Sequence, residues 1–390
     1  MAQSELNRST TRMSEYQYYE FQAIDRALTG KQMGELRSCS SRARITPTSF
    51  VNEYSWGNFK GNEDAWMERY FDAFVYVANW GTHILKLRLP AKAIDLAETR
   101  LYFAGDCLSA RKAHDHVVLT FTSEDESGGD WIEGGGILSS LIALRADLAR
   151  DDRRALYLGW LVGAQNGELS DDDKEPTVPS GLTELTASLD ALVEFLRMDT
   201  DLLRVAAEAS APLRPSAEPK EILAWLATVS THEKDALLSR LLTDDALVVP
   251  AELRQRLERD RRKTSGAAKS KPRTVAALLR DADTRRQERR RLAAKKAAAD
   301  QARKDRKASA ARAKYLDALA GEEARLWTEV DRLVAAKLPK SYDAAVRNLV
   351  DLRDLAARSG RNDFEQQLGR LRTRHSAKRT LLERMMKAGL

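Results

Sequence analysis

From Thr274 to Ala320 the chain contains neither glycine nor proline, and Ala, Arg, Lys, Gln, Glu and Leu dominate it. Such a composition predicts one long helix. Val275, Leu278 and Leu279 can anchor its start, and Tyr315, Leu316 and Leu319 its end; between them Leu292 is the only large apolar residue. At 1.5 Å per residue the run spans roughly 60–70 Å. It is too bare for a heptad coiled coil, which needs apolar a and d positions sustained over several heptads. The same stretch holds the steepest charge gradient. Residues 1–260 carry 29 Lys+Arg against 42 Asp+Glu, residues 261–390 carry 35 against 16, and 261–320 alone carry 20 against 6. A helix of this kind has reason to lie against a polyanion or to hold itself out in water.

The flanking sequence predicts an α+β N-terminal domain followed by mostly α structure, with the long basic helix and a C-terminal three-helix bundle. The segments are a loose N-terminus (1–15), an α+β domain (16–166), a linker rich in acidic residues, proline and glycine (167–181), a helical domain (182–260), a basic hinge (261–273), the long basic helix (274–320) and the bundle (321–390). In the α+β domain, strands are expected at Tyr18–Ile24, Arg44–Tyr54, Phe71–Asn79, Thr82–Leu89 and Val117–Phe121. Thr29 and Asn62 are placed to cap helices, and Trp80-Gly81 suits a tight antiparallel turn. Helices are expected at Ala93–Leu101, Ile137–Ala149 and Arg153–Ala164. The early order β-α-β-α-β-β is compatible with a split-βαβ half-sheet. Leu182, Leu185, Leu189, Leu192, Val193 and Leu196 form a buried helical stripe. In the bundle, Ser341 is a candidate cap, Gly360 suits the position after a helix, and Asn362 with Glu365 reads as a capping box.

Two cysteines, Cys39 and Cys107, cannot form a disulfide framework, and there is no CxxC pair for zinc. The first residues lack an apolar signal-peptide core, and no stretch approaches 18 uncharged apolar residues. The expectation is a cytoplasmic chain with no membrane contact and no cofactor.

Candidate sites follow from side-chain chemistry. Arg285, Arg286, Arg289, Arg290, Arg291, Lys295 and Lys296 lie within a few turns, and Arg303, Lys304, Arg306 and Lys307 repeat the density. No Asn or Gln accompanies them in a pattern suited to base reading, so contact with the DNA or RNA backbone is the expected mode. A solvated spacer helix, or contact with an acidic protein, are the competing uses. Tyr54, Trp56 and Phe59 form either a core plug or a recognition surface. His114 and His116 would share one face of a strand, a weak metal candidate, since no carboxylate arrangement completes a familiar spacing. Asp125, Glu126, Asp130 and Glu133 among glycines match no calcium loop. Gly134–Gly136 lacks the lysine and hydroxyl of a phosphate-binding loop. Neither a GxSxG frame nor a nucleophile–base pair is present.

The stretches Tyr18–Thr29, Ile45–Gly61 and Glu68–Thr82 resemble a family of uncharacterised bacterial proteins over about the first 90 residues. Leu338–Ala356 is similar to helical tails of bacterial proteins that carry a SWIM-type zinc finger elsewhere; this chain has no such finger. Neither resemblance implies a function. The expected role is a non-enzymatic scaffold or adaptor that touches nucleic acid through the basic helix and protein partners through its folded parts. The alternatives are a protein-interaction module with a spacer helix, and an enzyme of unknown reaction in the N-terminal domain.

Overall fold

The computed structural model describes residues 16–57, 59–124, 133–213, 217–242, 248–264 and 272–390. The loose start, the carboxylates Asp125, Glu126 and Asp130 and most of the basic hinge lie outside the described residues. The chain divides into two compact units, Met1–Glu288 and Arg289–Leu390.

The first unit is built on strands β1 (Gln17–Gln22), β2 (Arg44–Thr46), β3 (Ser49–Tyr54), β4 (Ala73–Ala78), β5 (His83–Pro90), β6 (Leu108–Ala113) and β7 (His116–Ser123). Their order is β2-β3-β1-β4-β5-β7-β6, and every pairing among the described residues is antiparallel. Because β1 lies between β3 and β4 and runs antiparallel to both, β3 and β4 are parallel to each other and joined through a helix, a βαβ unit split by β1, in keeping with the split-βαβ expectation. The expected strand Arg44–Tyr54 is a hairpin instead, turning at Pro47–Thr48. Proline lacks the N–H that a ladder needs, so the turn is where it fits.

Period-two alternation assigns the sheet's two faces. Along β4, Phe74 and Tyr76 point one way and Val75 and Val77 the other, and every residue of the strand is buried. The first face is aromatic: Tyr19, Phe21, Phe50, Phe71 and Phe74 pack with Trp66, and Phe21 lies 4.3 Å from Phe74, centroid to centroid. It is closed by α1 (Gly30–Cys39) and α2 (Glu63–Arg69). Thr29 and Gln32 form a capping box on α1, and the Asn62 side chain accepts the Ala65 N–H on α2. Both caps fall where the sequence places them.

The opposite face is aliphatic. Leu85, Leu87 and Leu89 of β5 and Val117, Leu119 and Phe121 of β7 meet α4 (Ile137–Leu141), α5 (Ala143–Ala149), α6 (Arg154–Asn166), α7 (Ala187–Phe195) and α8 (Thr200–Ala207). The start of the long helix α12 (Val275–Leu319) adds Val275, Leu278 and Ala282 to the same cluster. The linker composition of 167–181 therefore does not separate two cores: Leu189 and Leu192 beyond it share one core with the sheet. The helix expected at Ala93–Leu101 is reduced to α3 (Leu96–Thr99) between two short 3-10 turns. The helices α9 (Pro219–Thr228), α10 (Thr231–Leu241) and α11 (Val248–Thr264) complete this unit. Val248 and Val249 begin α11, and Pro250 sits in its first turn, where a missing N–H costs nothing.

The second unit gathers the end of α12 with α13 (Glu323–Ala335), α14 (Pro339–Ser359), α15 (Asp363–Arg374) and α16 (Arg379–Lys387). Leu316, Leu326, Val330, Leu349, Leu352, Phe364, Leu368, Leu381 and Met385 form its core. The expected three-helix bundle is thus a cluster with four helices beyond α12, because the third breaks at His375–Ala377 and α16 brings Leu381 and Met385 back onto the core. Gly360 ends α14 at φ +66, as expected. Pro339, not Ser341, opens that helix, and Asn362 makes no side-chain cap.

Candidate nucleic-acid interface

Each end of α12 is held by side chains from the unit it belongs to. At the start, the Thr274 hydroxyl accepts the Ala277 N–H, while Val275 and Ala276 donate to the carbonyls of Asp173 and Asp171. Arg273, just ahead of the helix, grips buried Glu175 through Nε (2.8 Å) and a terminal nitrogen (2.7 Å), and Tyr157 donates its hydroxyl to the same carboxylate. Burial, with that carboxylate alongside, pushes the Tyr157 phenol far above its ordinary range. At the other end, Leu316 is buried, Arg312 pairs with Asp351 (2.5 Å) and Asp354 (2.8 Å), and Arg358 pairs with Asp317 (2.7 Å).

Between those anchors the helix is bare. Residues 287–311 are exposed except Asp300, which is half-buried, and Leu292 retains 67% of its surface. This stretch holds nine Lys/Arg and three Asp/Glu. The sequence-predicted residues fall into two groups. Arg285 pairs with Glu208 at 2.8 Å, and Arg286 pairs with Asp199 and Asp283, so these two are drawn into the first unit. Arg289, Arg290, Arg291, Lys295, Lys296, Arg303, Lys304, Arg306 and Lys307 all lie in the exposed stretch. Arg303 is 3.4 Å from Asp300, within the helix itself. No ion pair closes on Arg290, Arg291, Lys295, Lys296, Lys304, Arg306 or Lys307 among the described residues. The Gln301 amide donates to Asp305 at 2.8 Å.

The other candidates resolve differently. Phe59 stacks on Tyr19 (4.7 Å) and meets Trp66 edge-on (4.9 Å), and Tyr54 packs on Tyr19 (5.7 Å); both belong to the aromatic core. Trp56 stands outside it, 65% exposed, with the Arg42 guanidinium 4.5 Å above its ring. His114 occupies the β6–β7 turn at φ +54 and His116 opens β7. The strand alternation that would align the two imidazoles is therefore broken by the turn. No group of three His, Cys, Asp or Glu suited to a metal occurs among the described residues. Cys107 is buried, and burial raises its thiol above the ordinary value; its sulfur sits 3.6 Å from the Asn166 amide.

Two buried polar clusters escape a motif-based reading. Asp72, 1% exposed, accepts the backbone N–H groups of Ile24 (2.6 Å) and Asp25 (2.9 Å) and a two-nitrogen grip from Arg88, while Arg145 bridges to Asp25 and to the Arg88 carbonyl. Burial alone would raise the Asp72 carboxyl, but Arg88 and the two N–H donors outweigh it and hold it below the usual range. His83, 1% exposed, lies with Nδ1 2.7 Å from the Phe195 carbonyl and Nε2 2.8 Å from Arg197. Arginine can only donate, so Nε2 accepts and the ring is neutral. Burial lowers its pKa, the Phe195 carbonyl opposes that, and Arg197 lowers it further. Above pH 6.5 the ring is then neutral whether the chain is folded or not. Below 6.5 the unfolded chain takes up a proton that the folded one excludes, so stability falls with pH. Urea midpoints measured from pH 8 to 5 should show this loss in the natural chain, and a shallower one in His83→Gln.

Comparison of the chain with protein-family models, with curated proteins and with solved structures returns no match.

Proposed function

We propose that this protein is a non-enzymatic cytoplasmic scaffold or adaptor. It contacts nucleic-acid backbone through the middle of α12 and protein partners through its folded units. One observation supports this above all: a solvent-exposed helical stretch with nine cations against three acids, tethered at each end by buried anchors rather than folded onto a core. Maintaining so many like charges on a bare helix is unfavourable unless a polyanion meets them. Among residues 289–307 the one side-chain amide, Gln301, is engaged by Asp305, which favours backbone contact without sequence preference. No helix among the described residues is long and apolar enough to cross a membrane.

The test is fluorescence anisotropy of the full chain with random-sequence DNA and RNA fragments at low salt. Replacing Arg290, Arg291, Lys295 and Lys296 by Gln should weaken binding on the order of a hundredfold or more. These four, unlike Arg285 and Arg286, carry no ion pair whose loss would disturb the first unit. Unchanged binding, or none by the natural chain, refutes the proposal; capture of a protein partner that survives the four substitutions would identify α12 as a spacer.

A further inference from the structure

Over residues 294–309 of the exposed stretch the charges are segregated, whereas Arg290 and Arg291 just before them stand on the other side of the helix. At about 100° per residue, Lys295, Lys296, Arg303, Lys304, Arg306 and Lys307 all fall within roughly one half of the helix circumference. Lys296, Arg303 and Lys307 make its central row, Lys295 and Arg306 flank one side, and Lys304 the other. The opposite half of residues 294–309 carries Ala294, Ala297, Ala298, Gln301, Ala302, Asp305, Ala308 and Ser309, without a cation. Both halves are solvent-exposed, so burial against the protein does not explain the segregation. The six cations occupy three and a half turns, about 18 Å of axis.

Resting on the reading of α12 as a nucleic-acid contact, we infer that this face is built to lie lengthwise in the groove of duplex DNA. A half-cylinder of positive charge matches a concave polyanion better than a single extended strand, which would engage only one row. An α-helix with side chains is about 10–12 Å across, and the B-form major groove is about 12 Å wide. The deep, narrow major groove of A-form RNA does not admit such a helix. Lys295 and Arg306 reach one phosphate wall and Lys304 the other, while the central row neutralises the groove between them. Asp300 lies inside the cationic half and is spent on Arg303 at 3.4 Å, so the face acts with an effective charge near five.

The experiment holds net charge and composition constant. Three exchanges in the full chain, Lys295→Ala with Ala298→Lys, Lys296→Ala with Ala294→Lys, and Lys307→Ala with Ala308→Lys, distribute the six cations around the whole circumference. Ala and Lys are both strong helix formers, so helicity by circular dichroism should be unchanged. The redistributed chain is expected to bind duplex DNA at least tenfold more weakly, with a shallower salt dependence, and the natural chain to prefer duplex DNA over duplex RNA. Equal binding by both chains overturns the face while leaving nucleic-acid contact intact. Equal affinity for the two duplexes overturns the groove assignment. No binding by the natural chain removes the contact itself.

Discussion

Between 50 and 200 mM salt, the affinity of the full chain for duplex DNA is expected to fall about a thousandfold. Each neutralised duplex phosphate releases condensed counterions and contributes about −0.9 to the slope of log K against log salt. An effective charge near five on the Lys295–Lys307 face puts the slope at about −4.5. A fourfold rise in salt then costs about three decades. Arg285 and Arg286 should contribute little, because Glu208 and Asp199 already neutralise them on the first unit. Charge-removing substitutions there should leave the slope nearly unchanged, whereas those at Lys296 and Lys307 should each reduce it by about one. An acidic protein partner would behave otherwise, since ordinary protein surfaces carry no condensed counterion layer of comparable density. Anisotropy titrations at four or five salt concentrations measure the slope directly, and a value shallower than about −2 would exclude a groove-length contact.

How far the residues disclose the fold depends on whether their partners are near or far in sequence. Local chemistry was readable: Thr29 and Asn62 cap helices, Gly81 turns the β4–β5 hairpin, Gly360 ends α14, and the glycine-free run from Thr274 is one helix. What depends on distant pairing was not. The strand β6 (LSARKA) has weak β propensity and exists because β7 pairs with it along its whole length. The core shared by the sheet, α7 and the start of α12 joins Leu87, Leu189 and Val275, and no periodicity within any one segment announces that union. The interface was legible as composition but not as geometry. Eleven basic residues look equivalent on the page, yet Arg285 and Arg286 are taken by carboxylates 77 and 87 residues away. The same holds for Asp72, an ordinary carboxylate until Ile24, Asp25 and Arg88 converge on it.

Arg273 shows this most sharply, and its removal carries the largest expected loss of stability. By composition it belongs to the basic hinge, one more cation available to a polyanion; in the structure it faces inward. Its guanidinium grips Glu175 with two nitrogens and also donates to the carbonyls of Val205 (2.8 Å) and Ala206 (3.3 Å). Glu175 is 6% exposed, and its remaining side-chain donor is the Tyr157 hydroxyl. Arg273→Ala therefore leaves a buried carboxylate without its counter-charge and removes the guanidinium's donation to the Val205 carbonyl, while the Ala206 carbonyl keeps the Ala209 N–H. The expected cost is about 3–5 kcal/mol, the range for breaking a buried pair from one side. Arg273→Lys keeps the charge but not the planar fork, and should cost about half as much. Urea unfolding of the full chain followed by tryptophan fluorescence is suited to the measurement, since six of the seven tryptophans precede Glu288 and report mainly on the first unit. A loss below about 1 kcal/mol for Arg273→Ala would mean that water reaches Glu175. Neither substitution touches the cationic face, so under native conditions duplex binding should keep its affinity to within a factor of about two, while charge loss at Lys296 or Lys307 should change binding and leave the urea midpoint in place.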